Sequence, residues 1–124
     1  MDNTKIVHDC FDHLAANDFD RFLSLFTKGA VIWHNHDQRD MPVEEVIARS
    51  EVRKVQIKNA HYSDRRYINV PGGVVAQHVL RATGADGQPF AMYAMMRVFI
   101  EGDRIRRIEE YYDPSQTPMA RRPK

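Results

Sequence analysis

The sequence is poor in the features that define several common protein classes. Only one of its 124 residues, Cys10, is a cysteine, which excludes an internal disulfide framework and a zinc site built from cysteines. No apolar stretch approaches the roughly 18 residues of a membrane span. The first residues also lack the basic and then apolar pattern of a signal peptide. We therefore expect a cytoplasmic protein that does not act at a membrane.

The chain carries almost no net charge. Eighteen Lys and Arg against 17 Asp and Glu give a formal net charge of +1, so no basic field for nucleic acid is predicted. Hydrophobic residues make up 43% and charged residues 28% of the chain, which is ordinary for a folded domain and too apolar for disorder. A chain of this length predicts a single domain over residues 1–124.

Helical periodicity dominates the first third of the sequence. Apolar residues recur at three- and four-residue spacing from Ile6 to Ala15, which predicts a first helix. A second, short helix is predicted after the capping residue Asp18, to be closed by Gly29. A β-rich strand should follow up to about His36, and Pro42 should open a third helix after a polar loop at 37–40.

From about Arg65 the hydrophobic period changes to two. Strands are predicted at 65–70, 74–83, 90–100 and 104–112, with glycine-rich turns between them. Helices followed by hairpin-linked strands indicate an α+β domain, and a strongly twisted antiparallel sheet with helices on one face would wrap into a cone around a pocket. The tail at 114–124, with three prolines, is predicted to be mobile or to lie on a neighbour.

Three segments carry a resemblance to a known family. Residues 16–26, 30–35 and 101–113 resemble the helix-turn-helix entry, the first inner strand and the closing strand of the nuclear-transport-factor-2-like superfamily, in its SnoaL-like and ketosteroid-isomerase-like branch. The resemblance covers about residues 4–115. It implies a cone-shaped, cystatin-like α+β fold with three N-terminal helices on a strongly curved antiparallel sheet. It also implies a homodimer that pairs through the sheet face carrying Tyr93 and Arg97.

The family's known catalytic residues are only partly present. In a gap-free match, the oxyanion tyrosine of ketosteroid isomerases falls on Cys10, the general base falls on His34, and the oxyanion acid falls near Met96. Limonene-epoxide-hydrolase-like enzymes are matched by Trp33-x-Asn35 and by Glu110, without their middle aspartate. Scytalone-dehydratase-like enzymes need an aspartate where this chain has Ala15. The resemblance therefore implies the fold and transfers none of these mechanisms intact.

Two histidines are candidates for acid–base chemistry. His34 shares its strand face with Ile32 and His36, and a partly desolvated imidazole is a neutral base that can take a proton beside a carbonyl or from a hydroxyl. The alternative is a solvent-facing histidine at a strand end. His78 lies on an apolar strand face and is either the second base or acid, or a hydrogen-bonded core histidine.

The remaining candidates depend on which strand faces point inward. Glu110 could orient a histidine or receive its proton, or belong to a solvated charged strand. On the opposite face of the first strand from His34, Asn35 could polarise a carbonyl and Trp33 could stack on a ligand, or both could be structural. Met96 and Tyr112 are expected to shape the pocket. The apolar face from Phe90 to Ile100 either lines a cavity or forms ordinary core.

His34 and His36 also have a spacing that could bind a transition metal, with His61 or acidic side chains as further ligands. We expect instead that no metal or cofactor is required. The favoured function is acid–base chemistry (isomerisation, dehydration or cyclisation) on a small, largely apolar carbonyl or hydroxy compound, catalysed by His34, His78 and Glu110. The alternative is a non-catalytic module of the same fold that binds a small ligand or mediates dimerisation.

Overall fold

The computed structural model describes residues 2–117, which form three helices, six strands and a short terminal turn. In chain order these elements are α1 (Thr4–Ala15), α2 (Phe19–Ser24), β1 (Phe26–His34), β2 (Asp40–Pro42), α3 (Val43–Arg53), β3 (Lys58–Val70), β4 (Gly73–Thr83), β5 (Pro89–Glu101), β6 (Arg104–Tyr112) and a 3₁₀ turn (Pro114–Gln116). None of the helices in this part of the chain is long and apolar enough to cross a membrane.

The six strands form one sheet in the order β2-β1-β6-β5-β4-β3. Strands β3 to β6 follow one another as antiparallel neighbours, and β1 pairs antiparallel with β2, whereas β1 and β6 pair in parallel. A parallel pair needs a long connection, and here nearly the whole sheet separates the two strands in the chain. The register of β3 against β4 shifts between Ser63 and Arg66, where Asp64 has a φ of 51°. Such bulges bend and twist a strand, which contributes to the curvature of the sheet.

The core lies between the helices and one face of this sheet. The apolar side of α1 buries Val7, Cys10 and Phe11, as the helical spacing of these residues predicts. They belong to the same buried cluster as Met96 and Val98 of β5. Alternate residues of β5 are buried from Phe90 to Val98, so the predicted apolar face is mainly core. The predicted α+β fold, with three helices on a curved sheet, is confirmed.

Several predicted boundaries are wrong, and tertiary pairing explains each difference. α2 ends at Ser24, and the next residues are already in β1, because Phe26 pairs with Ile105 of β6. Gly29 therefore lies inside a strand, at a φ of 79°, and closes no helix. The 37–40 loop contributes Asp40 to the short strand β2. β3 starts at Lys58 rather than at Arg65. Residues 58–64 show little alternation of apolar and polar residues, and their pairing with β4 holds them in the sheet.

The predicted tail is described only in its first part. Residues 114–116 form the 3₁₀ turn, and the side-chain oxygen of Gln116 accepts a hydrogen bond of 3.0 Å from the backbone N–H of Tyr93. This segment thus packs against β5. The expectation of a mobile tail or arm falls, for residues 118–124, outside the described residues.

Candidate active site

The parallel pairing of β1 with β6 brings two of the predicted residues side by side. Ile32 pairs with Ile108, and His34 pairs with Glu110. Ile32 and Ile108 are both buried in the core, and side chains two positions apart on a strand point to the same face. His34 and Glu110 therefore lie on the inner, helix-covered face of the sheet.

His34 and Glu110 contact each other directly. The Nε2 atom of His34 lies 3.2 Å from Oε1 of Glu110, and the side chains are only 14% and 13% exposed. A neutral imidazole and a carboxylate at this distance become an ion pair once the imidazole is protonated. Because both side chains are largely shielded from water, that attraction is stronger than at the surface. Through this contact Glu110 can hold the imidazole ring of His34 in one orientation.

Aromatic rings close the cluster at the end of the strands. Tyr112 packs edge-on against His34 and His36, at centroid distances of 5.6 and 5.2 Å. Its hydroxyl lies 3.0 Å from Nε2 of His36, within hydrogen-bond distance. Burial and the nearby Glu110 carboxylate raise the pKa of Tyr112, so its phenol stays neutral and able to donate a hydrogen bond.

His78 on β4 is the most unusual polar residue of the inner face. It is 2% exposed, and neither ring nitrogen has a hydrogen-bond partner among residues 2–117. The ring forms a cluster with Phe11 and Tyr62, at centroid distances of 4.7 and 4.3 Å, and those two rings are themselves 5.3 Å apart. Burial lowers the pKa of His78 to about 4, although the charge of Glu110 acts in the opposite direction. His78 is therefore a neutral imidazole at neutral pH, with one donor and one acceptor left unpaired.

An unpaired buried polar group costs on the order of 1–3 kcal/mol, and it calls for an explanation where it occurs in a folded protein. A hydrogen-bonded core histidine is the alternative that the sequence leaves open for His78. His78 is in the core, but no residue among 2–117 forms a hydrogen bond with its ring.

Two residues join this region that the sequence analysis did not assign to the site. The ring of Tyr62 on β3 packs against His78, with the two planes tilted by 42°, and burial, together with the charge of Glu110, raises the pKa of its phenol. The pKa of the Cys10 thiol is raised by the same two causes, which makes Cys10 an unreactive core residue. Tyr62 lay outside the strand predicted from Arg65, because pairing with β4 rather than a local pattern holds the residues before Arg65 in the sheet.

The structure places the other predicted residues in different settings. Met96 is buried beside Glu110, its neighbour across β5 and β6. Trp33 points to the opposite face of β1 from His34 and packs edge-on against Tyr111 at 5.4 Å, so the structure does not bring it to the cluster. The side-chain oxygen of Asn35 accepts a hydrogen bond of 3.0 Å from the backbone N–H of Tyr112, which fixes the end of β6 against β1.

Two surface cavities lie away from this cluster. One, of about 400 Å³, is lined by residues at one end of the β3–β4–β5 region, including His61, Arg81 and Phe90. The other, of about 360 Å³, lies between the start of α1 and the β5–β6 turn. Neither cavity is lined by His34, His78 or Glu110.

No protein-family model matches the sequence, and no curated protein matches it significantly. Solved structures do match it over nearly their whole length. A protein with a ketosteroid isomerase-like fold from Catenulispora acidiphila DSM 44928, solved with trimethylamine, shares 16% identity at a TM-score of 0.77, covering 90% of this chain and 87% of that one. An NTF2-like protein from Burkholderia pseudomallei K96243 shares 16% identity at a TM-score of 0.79, covering 96% of this chain and 97% of that one.

A third structure, a candidate SnoaL-like polyketide cyclase from Shewanella putrefaciens CN-32, shares 12% identity at a TM-score of 0.78, covering 96% of this chain and 93% of that one. Identities this low carry information about the backbone and none about the reaction. The chain therefore has the fold that ketosteroid isomerase-like, SnoaL-like and NTF2-like proteins share, as the sequence resemblance implied.

Proposed function

We propose that the protein is a small-molecule enzyme of the SnoaL-like type that performs cofactor-free acid–base chemistry on a largely apolar carbonyl or hydroxy compound. The observation that carries the proposal is the 3.2 Å contact between His34 and Glu110 on the shielded inner face of the sheet. Structural relatives named as candidate polyketide cyclases or as an isomerase agree with this class of reaction.

In the proposed reaction His34 removes a proton from the carbon beside a carbonyl group. The electron pair of the broken C–H bond moves into the carbonyl, which gives an enolate and an imidazolium. The imidazolium then forms an ion pair with Glu110. The neutral rings of His78 and Tyr62, packed on one another, supply hydrogen-bond donors for the enolate oxygen. Return of the proton to another carbon would give isomerisation. Expulsion of a neighbouring hydroxyl group, which takes the imidazolium proton and leaves as water, would give dehydration. Attack of the enolate on a second carbonyl, whose oxygen takes that proton, would give cyclisation.

Proton removal can be tested before the natural substrate is known. The full-length protein is incubated in D₂O with a panel of apolar cyclic ketones, and deuterium uptake beside the carbonyl is followed by NMR. We expect wild-type protein to accelerate uptake in at least one ketone. His34→Ala should slow that reaction about 10²-fold or more, the usual effect of removing a general base. Full exchange in both His34→Ala and His78→Ala would refute the proposal.

The second candidate function is non-catalytic binding of a small ligand. The cavity of about 400 Å³ at the β3–β4–β5 end supports it, since none of the three catalytic candidates lines that cavity. In that case an apolar probe binds without any deuterium uptake, and a bulky substitution at the lining residue Ala91, such as Ala91→Phe, weakens binding. The same substitution leaves exchange unchanged if the chemistry takes place at His34.

We also propose that the protein is a homodimer that pairs through the outer face of the sheet. Three large apolar side chains stand exposed there: Tyr93 at 58%, Met95 at 47% and Tyr111 at 55%. Met95 and Tyr111 are cross-strand partners, so the apolar surface is continuous over β5 and β6. Arg97 and Glu109, also partners on this face, offer opposite charges for a symmetric contact.

A further inference from the structure

Three potential metal ligands meet where β1 ends. One ligand atom from each of His34, His36 and Asp37, either a ring nitrogen or a carboxylate oxygen, lies within 4.8 Å of the other two. The two imidazole rings are nearly parallel, with centroids 5.6 Å apart and planes inclined by 28°. All three side chains come from four consecutive residues, so the local backbone alone keeps them together.

Each histidine of this set has a neighbour of the kind that orients a metal ligand. Glu110 lies 3.2 Å from Nε2 of His34, and the Tyr112 hydroxyl lies 3.0 Å from Nε2 of His36. In metal sites the second nitrogen of a ligating imidazole is commonly held by a carboxylate or another polar group. Within residues 2–117, no hydrogen bond is formed by Nδ1 of either ring. Each ring therefore keeps a free nitrogen.

Asp37 is held in place by the backbone. Its Oδ1 accepts a hydrogen bond of 3.1 Å from the backbone N–H of Arg39, which leaves the other carboxylate oxygen available. His36 and Asp37 are exposed, whereas His34 is half-buried. A hydrated ion can therefore reach the set from solvent and exchange some of its water for protein ligands.

We propose that His34, His36 and Asp37 bind a divalent transition metal, with water completing the coordination. Two imidazoles and one carboxylate suit Zn²⁺, Cu²⁺ or Ni²⁺, and they offer too few oxygens for Ca²⁺. Metal binding does not depend on the proposed reaction. Where both hold, a metal-bound nitrogen of His34 cannot accept a proton, so the metal inhibits proton transfer.

The site is tested by calorimetric titration of the tag-free, full-length protein with ZnCl₂. We expect one equivalent of Zn²⁺ to bind to the wild-type protein, and binding to be lost in His36→Ala. Asp37→Asn should weaken binding, because it removes the carboxylate charge but keeps a side-chain oxygen that can accept the hydrogen bond from the backbone N–H of Arg39. The matched control is His61→Ala, because His61 contacts the carbonyl of Asn59 outside this set and its removal should change nothing.

Two results would overturn the site: no stoichiometric zinc, or equal binding by wild type and His36→Ala. Melting curves establish that each variant is folded. If His36→Ala does not fold, Asp37→Asn takes its place as the test variant. The visible absorption of bound Co²⁺ gives a second readout that is independent of activity. Bound zinc that inhibits no deuterium exchange would still confirm the site and would count against His34 as the base.

Discussion

His34 on β1 and Glu110 on β6 face each other across a parallel strand pair, with 3.2 Å between Nε2 and Oε1. The two residues are 76 positions apart in the chain, and only the closure of the sheet by β6 brings them together. Their contact is shielded by the core beneath and by Tyr112 at the strand end. This arrangement is the physical basis of the proposed acid–base chemistry.

Replacing Glu110 with Gln should slow deuterium exchange into a responsive ketone by about 10-fold or more, the usual worth of a hydrogen bond to a charged group. The neutral amide keeps the shape of the side chain but cannot pair with the imidazolium that forms on His34. NMR rates at fixed protein concentration measure the effect. The control is Glu109→Gln, since Glu109 lies on the opposite face and bonds to Arg107. Equal losses in both variants would mean that the effect is structural.

His78 should make the stability of the protein depend on pH. Its pKa is about 4 in the folded protein and about 6.5 when unfolded. The unfolded state therefore binds the proton more readily between these values. The free energy of unfolding keeps its maximum value, as far as His78 determines it, above about pH 6.5. It falls by about 3 kcal/mol as the pH drops to 4.

The His78→Leu variant should lose this part of the pH dependence, because it has no imidazole to protonate. Urea unfolding at pH 7.5 and pH 4.5 measures the difference between variant and wild type. His61→Ala, which removes an exposed histidine, is the control and should retain the wild-type slope. An unchanged slope in His78→Leu would show that the buried ring does not titrate in this range.

Gly73 at the start of β4 should tolerate no side chain. A Cβ added there would lie 1.8 Å from the backbone oxygen of Val98, so β5 would have to move. Gly73→Ala should cost about 3 kcal/mol of unfolding free energy or more. Its neighbour Gly72 has a φ of 80° and nothing within 4 Å, so Gly72→Ala should cost only the backbone strain of about 1–2 kcal/mol. Thermal melts that rank the two variants in the reverse order would contradict this packing.

Met95→Lys should convert the proposed dimer to a monomer. The substitution places a charge in the middle of the exposed apolar surface of β5 and β6, which opposes its burial against a second copy. Light scattering coupled to size exclusion measures the mass. Val52→Lys is the control, because Val52 is an equally apolar residue, 65% exposed on α3. A wild-type protein that is monomeric at micromolar concentration would refute the dimer.

Much of the fold could be predicted because hydrophobic periodicity reflects burial. The stripe of α1 and the alternation of β5 mark the two layers of the core, and both are as predicted. The early start of β3 and the end of α2 could not be predicted locally. Both depend on pairing with strands that are distant in the chain, such as that of Phe26 with Ile105.

The site could be predicted in part for a related reason. His34, Glu110 and Tyr112 follow from strand alternation once the inward face is known. The sequence left that face open, since Val31 and Trp33 on one side of β1 are as apolar as Ala30 and Ile32 on the other. Contacts between elements, such as the packing of His78 against Phe11 and Tyr62, had no local signal in the sequence.

His34 and Glu110 should act as one unit in proton transfer, and a double-mutant cycle measures this most directly. Deuterium exchange rates are compared for wild type, His34→Ala, Glu110→Gln and the double variant, each checked for folding. We predict that the double variant is no slower than His34→Ala alone, because Glu110 acts only through the imidazole that is already gone. Losses that multiply would show that the two residues act independently, and would contradict the account.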